Sequence, residues 1–276
     1  MSAVLNSNIT FIGGGNMAQA LIGGLVTRGL PPTRVTVADP VEKVRELLAE
    51  KEVNVTDDNA AAIRDADIVL FAVKPQVLAQ VLKPLKGLLD DKLVISIVAG
   101  AEIQTIAGLL GTNRIVRVMP NTPALVQTGA HGLYANADVA AADRELASQV
   151  LGSTGLTIWV NTESQIDAVT AVSGSGPAYF FYMMESMIRA GKNLGLDEKV
   201  AMDLTLQTAL GAAQMAITSP YSPSELRKNV TSPNGTTQAA IEVFDHAHIS
   251  QNIQAALAAA QKRSQQLAQE LSDSIK

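Results

Sequence analysis

The sequence contains no cysteine, and only 17% of its 276 residues are charged. The absence of cysteine excludes a disulfide scaffold, a thiolate zinc site and a cysteine nucleophile, and it fits a reducing compartment. The net charge is −5, and no dense cluster of lysine or arginine is present. Nucleic acid and anionic lipid are therefore not expected as the main partners.

Long apolar runs are missing as well, although 47% of the residues are hydrophobic. No run approaches the roughly 20 apolar residues that a membrane-spanning helix needs. The N-terminus enters an apolar strand without the charged and apolar regions of a secretory signal. We therefore expect a cytoplasmic protein with a substantial core, in one large or two medium domains and without a membrane partner.

A glycine-rich motif follows the first apolar run, and it reads Gly13-Gly14-Gly15-Asn16-Met17-Ala18. A G-x-G-x-x-A pattern between a strand and a helix is the fingerprint of dinucleotide binding. In it, Gly13 permits a tight turn, Gly15 lets a pyrophosphate approach the backbone, and Ala18 lets the helix pack closely on the strand. Because the helix N-terminus has free N–H groups and a partial positive charge, it suits a phosphate.

An acidic residue follows the second predicted strand, residues 34–38, and supports this interpretation. Asp39 lies about 20 residues beyond the glycine motif, where the acid that binds the cofactor ribose is expected. With Pro40 behind it, Asp39 would equally suit the N-cap of the next helix. Both interpretations remain open.

Strand and helix patterns alternate through the first half of the chain, which predicts a doubly wound parallel sheet. Further strands are expected at 53–55, 67–73, 93–98 and 114–118, with 132–134 and 156–160 as edge extensions; helices are expected at 17–28, 41–51, 59–64, 78–89 and 103–110. Beyond Glu163 the predicted helices are 175–194, 197–218, 223–229, 236–247 and 249–272. The predicted fold class is α/β, with a dinucleotide-binding Rossmann-type domain (1–163) followed by an all-helical domain (164–276).

The helices of the second half have strongly apolar faces. One carries Met183, Met184 and Met187, and the next is rich in alanine and leucine. These faces could form a bundle core within one chain. An interface between subunits is favoured, because about 110 helical residues make a thin bundle alone.

Ligands of an open parallel sheet bind beyond the carboxyl ends of its strands. The segments expected there are Ala72-Val73-Lys74-Pro75, Val98-Ala99-Gly100 and Met119-Pro120-Asn121-Thr122-Pro123, with Asn59 on a nearby loop. Each could contact cofactor or substrate. Each also has a structural interpretation, because Pro75 can end a strand, Gly100 can form a turn, and Pro120 with Pro123 can form a rigid turn.

Two predicted helix N-termini in the second half suit a small carboxylate. They follow Ser173-Gly174-Ser175-Gly176-Pro177 and Ser232-Pro233-Asn234-Gly235-Thr236-Thr237. Plain N-capping by Ser175 and Thr236 is the alternative. No metal site is expected, because His246 and His248 do not share a helix face and no third ligand is near them in sequence.

Together these motifs resemble the pyrroline-5-carboxylate reductase family over nearly the whole length. The resemblance rests on the glycine motif and on segments 72–75 and 119–123, and most specifically on segments 166–179 and 230–237. The family usually has glycine where this chain has Asn234. Asparagine tolerates left-handed backbone angles, so the loop shape is expected to survive.

The resemblance implies that NAD(P)H reduces the cyclic imine 1-pyrroline-5-carboxylate to L-proline, the last step of proline biosynthesis. It implies that Thr236 and Thr237 hold the substrate carboxylate and ring nitrogen. Because an imine accepts hydride most readily when its nitrogen is protonated, Thr237 is expected to be the catalytic hydrogen-bond donor or proton relay to that nitrogen. Glu163 is expected near the substrate amine, and Ser175 is a further expected substrate contact. The family also implies homodimers with interlocked helical domains, often assembled into larger rings.

The cofactor is expected to be NADP(H) or NAD(H). Its expected contacts are Gly13, Gly14, Gly15, Asn16, Met17, Asp39, Asn59, Ala72, Val73, Lys74, Pro75, Val98, Ala99, Gly100 and, by resemblance, Asn229. Asp39 would repel a 2′-phosphate and favour NADH, whereas family members often prefer NADPH. We expect both cofactors to work.

Two other functions remain as alternatives. A 3-hydroxyacid dehydrogenase of related architecture would need a catalytic lysine on a helix of the second domain, where Lys192 is the one similar residue. That function leaves segment 233–237 unexplained. A non-enzymatic nucleotide-sensing protein is the other alternative, because a fold does not by itself fix a function.

Overall fold

The computed structural model describes residues 3–275. The described chain forms two compact units. The first contains the residues up to Ser175 together with those from Ala259 onward, and the second is Gly176–Ala258. Within residues 3–275, no helix combines the length and apolar character needed to cross a membrane.

Within the described residues, the first unit is built on an eight-stranded sheet in the order β3-β2-β1-β4-β5-β6-β7-β8. The strands are β1 (Ile9–Ile12), β2 (Val35–Ala38), β3 (Asn54–Thr56), β4 (Ile68–Phe71), β5 (Leu93–Ser96), β6 (Ile115–Met119), β7 (Gly129–Ala135) and β8 (Gly155–Trp159). Neighbouring strands are parallel except β6 and β7. The predicted doubly wound sheet is therefore confirmed, with β7 and β8 at its edge.

Helices follow most of the strands and form the whole second unit. They are α1 (Asn16–Thr27), α2 (Glu42–Ala49), α3 (Asn59–Ala62), α4 (Leu78–Leu82), α5 (Ile103–Leu110), α6 (Ala141–Gly152), α7 (Gln165–Val169), α8 (Gly176–Asn193), α9 (Glu198–Thr218), α10 (Pro223–Asn229), α11 (Thr236–His246) and α12 (Ile249–Ile275). The chain beyond Glu163 is helical, as predicted.

The core of the first unit lies on both faces of the sheet. Ile9 and Phe11 join one apolar cluster and Ile12 joins the other, because successive strand side chains point to opposite faces. Helices α1 and α6 cover the first cluster, and α4, α5 and the end of α12 cover the second. Since both faces are covered, the central strands β1, β4, β5 and β6 are mostly apolar, and their polar residues are Thr10, Ser96 and Arg117.

Two predicted helices differ from the structure, and one was missed. The helix expected over 78–89 is shorter: α4 ends at Leu82, and a 3₁₀ turn covers Lys83–Leu85. Pro84 lacks the N–H that would continue an α-helix. The helix expected from residue 175 begins earlier, at Gln165, and α7 passes through a π-helical turn, Thr170–Gly174, before α8. Helix α6 was not predicted.

The second unit exposes many large apolar side chains. Phe180 of α8 is 69% exposed and Ile217 of α9 is 82% exposed, and Met183 and Met187 are exposed as well. A bundle core within one chain would have buried these residues. Their exposure favours the interpretation as an interface between subunits.

Candidate active site

The glycine motif forms a tight loop between β1 and α1, and each glycine meets a different steric demand. Gly13 has a φ of 98°, and a Cβ there would lie 2.8 Å from the carbonyl oxygen of Ala72. A Cβ on Gly14 would lie 2.7 Å from side-chain carbons of Val44 and Leu48 on α2. A Cβ on Gly15 would meet no atom within 4 Å. Gly15 is therefore the point at which the loop backbone is open to a ligand.

The first turn of α1 adds hydrogen-bond donors beside this opening. Gly15 is the N-cap and has no side chain that could satisfy the turn. The first bond back to it comes from Gln19, whose N–H donates to the Gly15 carbonyl at 3.0 Å. The N–H groups of Asn16, Met17 and Ala18 thus have no acceptor within the helix, and they carry the positive end of its dipole. This arrangement suits a phosphate.

Asp39 lies at the end of β2, and both of its carboxylate oxygens accept backbone hydrogen bonds. Oδ2 accepts from the Gly14 N–H at 2.8 Å, and Oδ1 accepts from the Val41 N–H at 2.9 Å. The prediction of Asp39 as a helix N-cap is wrong, because α2 begins at Glu42 with Val41 as its N-cap. Arg45 Nη1 donates to the Asp39 carbonyl at 2.7 Å, which places a guanidinium at the same strand end.

The carboxyl ends of β1, β2, β4 and β5 meet at one edge of the sheet. The register pairs Ile12 with both Ala38 and Phe71, and Phe71 with Ser96. The segments after these strands, Gly13–Gly15, Asp39, Ala72–Pro75 and Val98–Gly100, are therefore neighbours there. The winding reverses between β1 and β4, and a doubly wound sheet binds its ligand at such a reversal.

The predicted cofactor contacts at this edge differ in exposure. The exposed ones include Asn16, Lys74 and Ala99. The buried ones include Gly13, Gly14, Val98 and Gly100. Those of intermediate exposure are Met17, Asn59, Ala72, Val73 and Pro75. Asn59 is the first residue of α3, which Asp58 caps by accepting from the N–H groups of Ala60 and Ala61. The side chain of Asn59 is therefore not needed as a cap.

Glu163 lies in the first unit and is tied to two other elements. Its Oε1 accepts from the Ile103 N–H at the start of α5, at 2.7 Å, and from Arg117 Nη1 on β6, at 2.9 Å. Sequence reasoning missed Arg117. The available signal was a lone arginine inside the apolar strand Ile115–Met119.

The helix N-terminus expected at segment 173–177 is not formed as predicted. The Ser175 N–H donates to the Thr170 carbonyl at 2.8 Å, which closes the π-helical turn, so this group is not free for a carboxylate. Asn121 of the predicted segment 119–123 supports the same turn: its Nδ2 donates to the Ser173 carbonyl at 3.0 Å, and its Oδ1 accepts from Ala130 N–H at 2.8 Å. The role of Ser175 toward substrate stays a prediction that rests on its hydroxyl.

The helix N-terminus at Thr236 and Thr237, in the second unit, has the predicted form. Gly235 is the N-cap of α11 and has no side-chain cap, and the first bond back to it comes from the Ala239 N–H at 3.2 Å. The N–H groups of Thr236 and Thr237 have no intrahelical acceptor, and neither hydroxyl has a partner among the described residues. The alternative of Thr236 as N-cap is wrong, because Gly235 occupies that position.

Asn234 precedes this helix with a φ of 58°, so the expectation of a left-handed backbone angle is confirmed. The loop is held by the side chain of Gln238, whose Oε1 accepts from the Asn234 N–H at 2.8 Å. Asn229 is the exposed last residue of α10 in the same unit. Lys192, the similar residue in the dehydrogenase alternative, pairs with Glu198 at 2.8 Å.

The described residues contain no cluster of three or more acidic or histidine side chains that could hold a metal ion. His131 is buried in β7, and burial lowers the pKa of its imidazole to about 4. Its Nε2 lies 3.0 Å from Thr154 Oγ1. A neutral, buried histidine with a hydroxyl neighbour is a core residue of the sheet edge.

Comparison with known proteins agrees with this geometry. The family model for pyrroline-5-carboxylate reductase dimerisation matches residues 163–267, and a model described as NADP oxidoreductase, coenzyme F420-dependent, matches residues 8–100. The pyrroline-5-carboxylate reductase of Pseudomonas aeruginosa is 50% identical over 95% of this chain and 97% of its own length. That of Haemophilus influenzae is 47% identical over 94% and 97%.

Solved structures extend the similarity to the whole fold. A pyrroline-5-carboxylate reductase from Coxiella burnetii has a TM-score of 0.91 at 43% identity, and covers 95% of this chain and 98% of that one. The pyrroline carboxylate reductase of Plasmodium falciparum, solved with NADP bound, has a TM-score of 0.85 at 30% identity with the same coverage. On this sequence identity and coverage, the chain belongs to the pyrroline-5-carboxylate reductase family.

Proposed function

We infer that this protein reduces 1-pyrroline-5-carboxylate to L-proline by hydride transfer from NADPH or NADH, as an oxidoreductase at the last step of proline biosynthesis. The observation that carries the inference is the opening at Gly15, where the missing side chain faces empty space beside the free N–H groups of α1. This opening suits a diphosphate, and the backbone of Ala72–Pro75 and Val98–Gly100 at the neighbouring strand ends would hold the rest of a dinucleotide.

The proposed substrate contacts lie at the N-terminus of α11. The substrate carries a carboxylate and a ring imine, and the free N–H groups and hydroxyls of Thr236 and Thr237 are donors suited to both. The imine carbon accepts the hydride and the ring nitrogen takes a proton, which converts C=N into CH–NH. The Thr237 hydroxyl is too weak an acid to supply that proton alone. We assign it the hydrogen bond to the nitrogen, with water as the proton source.

Cofactor preference is proposed to depend on the end of β2. The Asp39 carboxylate there disfavours a second negative charge, whereas the guanidinium of Arg45 at the Asp39 carbonyl favours one. Both NADH and NADPH are therefore expected to be used. Replacing Asp39 with serine should raise the ratio of kcat/KM for NADPH to that for NADH. An unchanged ratio would remove Asp39 from the ribose site.

The match to a dimerisation model and the exposed apolar side chains of the second unit support a homo-oligomer. The finer part of the proposal is a homodimer formed through the helical domain (164–276), which also binds substrate, with residues 1–163 binding the dinucleotide. The same proposal includes assembly of the dimers into a ring, a cytoplasmic location, and the absence of nucleic-acid and membrane partners.

A coupled absorbance assay tests the reaction. Racemic 1-pyrroline-5-carboxylate added to protein and NADPH, or NADH, should cause loss of the reduced nicotinamide absorbance with proline as product. The control is a 3-hydroxyacid with the oxidised cofactor, which should give no reaction. The proposed function would be contradicted if the hydroxyacid reacts and the imine does not, or if neither compound reacts.

A further inference from the structure

A charged side chain is buried beneath the proposed cofactor edge. Arg117 lies in the middle of β6, paired in register with Ser96 of β5, and its side chain is 4% exposed. A buried guanidinium is costly unless it is paired and hydrogen-bonded. Among the described residues its ion-pair partner is Glu163, which remains 27% exposed. The pair therefore connects the interior of the sheet to the surface.

Glu163 also fixes the start of a helix. The oxygen that accepts from Arg117, Oε1, accepts from the Ile103 N–H as well, and Ile103 is the first residue of α5. The N-cap residue of α5, Glu102, has no side-chain cap of its own. A carboxylate at this position satisfies one orphan donor and complements the helix dipole. Glu163 thus caps α5 from a distance of 60 residues along the chain.

The segment immediately before α5 is the loop that contains Val98, Ala99 and Gly100. It is closed by a turn in which the Ala101 N–H donates to the Val98 carbonyl at 3.2 Å. Its far side packs on α12: a Cβ built on Gly100 would lie 3.3 Å from the Ala268 backbone nitrogen. The loop is therefore held by α12 on one side and by the capped start of α5 on the other.

We propose that Arg117 and Glu163 are positioning residues that hold the Val98–Gly100 loop in the shape that binds the dinucleotide. The ion pair fixes Glu163, Glu163 fixes the first turn of α5, and that turn fixes the loop at the end of β5. This inference rests on the proposed function in one respect, namely that the Val98–Gly100 loop contacts the cofactor. Oε2 of Glu163 has no partner among the described residues, so a separate contact of that oxygen with substrate remains compatible.

The test is the dissociation constant of NADPH and of NADH without substrate, measured by nicotinamide fluorescence on the full-length protein. Arg117→Met and Glu163→Leu should each weaken binding about three- to thirtyfold, the range of coupling through a packed network. The double variant should weaken it no more than the worse single variant, because the two residues act as one unit.

Arg114→Met is the matched control. Arg114 precedes β6 and also pairs with a carboxylate on another element of the same unit: its two hydrogen bonds to the buried Asp143 measure 2.7 and 2.6 Å. Its loss should lower the melting temperature and leave both dissociation constants unchanged. The double variant removes both charges and leaves no unpaired buried ion, so it supplies a folded protein if a single variant does not fold. Glu163→Gln keeps a carbonyl acceptor for the Ile103 N–H, so it should retain most of the cofactor affinity.

Two results would overturn the positioning role. One is unchanged cofactor binding in a folded Glu163→Leu, Arg117→Met or double variant, even with a raised KM for the imine, since that would restrict Glu163 to a direct substrate contact. The other is an equal loss of binding in the Arg114→Met control, which would trace the effect to general destabilisation. Absence of cofactor binding by the unmodified protein would instead contradict the proposed function itself.

Discussion

The Thr237 hydroxyl tests the proposed substrate contacts more directly than any other group. It lies in the second residue of α11, where the backbone N–H also lacks an intrahelical acceptor. The hydroxyl makes no hydrogen bond to another described residue, so its removal breaks nothing in the free protein. Thr237→Val keeps the branched shape of the side chain and removes only this donor.

The size of the effect follows from the bond that would be lost. A hydrogen bond to a charged group contributes about 1.5–3 kcal/mol. If the bond forms to the ring nitrogen as its charge develops, kcat/KM for the imine should fall about 10- to 150-fold. The free energy of unfolding should change by less than about 0.5 kcal/mol, because threonine and valine have similar helix propensities and no contact is lost.

The assay is steady-state oxidation of NADPH with the imine varied, beside thermal unfolding of each variant. Thr237→Ser keeps the hydroxyl and should retain most of the activity. Thr236→Val removes the neighbouring hydroxyl and should act mainly on KM, as expected of a carboxylate contact that is equally strong in the ground state and the transition state. A Thr237→Val enzyme with unchanged kcat/KM would refute the assigned role.

Three further predictions concern the rest of the chain. Gly15→Ala should fold normally, since a Cβ there meets only open space, and should lose cofactor affinity because the Cβ occupies that space. Gly14→Ala should instead cost about 1–3 kcal/mol of stability by overpacking against α2. Thermal unfolding and cofactor titration of the two variants distinguish these effects. Asn234→Gly should keep full activity, and Asn234→Val should lose about 1–3 kcal/mol because its φ is 58°. Burial lowers the pKa of His131 from 6.5 to about 4, so at a pH between these values the unfolded chain binds a proton that the folded protein does not. The free energy of unfolding should therefore fall as the pH falls from 6.5 towards 4. Unfolding measured at several pH values should show a weaker dependence on pH for His131→Asn than for the unmodified protein.

The sequence predicted the glycine loop well because each requirement there is local. A tight turn needs a positive φ at Gly13, and an approaching phosphate needs no Cβ at Gly15; both are set by residues within one strand and one helix. The end of α4 was equally available from the sequence, since Pro84 interrupts the predicted helix. It was missed because the apolar periodicity continues past the proline.

The π-helical turn before α8 depends on contacts that sequence spacing does not reveal. Asn121 reaches the Ser173 carbonyl from another loop, and Gly174 packs against Met119. A π-helical turn inside a helix needs such outside support, because its i→i+5 bonds alone rarely persist. The run of serine and glycine residues at 173–176 therefore indicated the start of a helix, although the backbone before it is already helical. The sequence did not reveal the pairing of Arg117 with Glu163 for the same reason, since 46 residues separate them.

The glycine loop and the threonine-bearing end of α11 are held in different ways, and this follows from how each unit is stabilised. The glycine loop is fixed by a sheet buried on both faces, so its shape belongs to the single chain. The threonine-bearing end of α11 belongs to a unit whose large apolar side chains, such as Phe180 and Ile217, remain exposed. Exposed apolar area of that extent marks a surface that another surface covers. The dimerisation model matches residues 163–267, so the proposed homodimer would supply that surface and complete the core of the unit that carries the proposed substrate contacts.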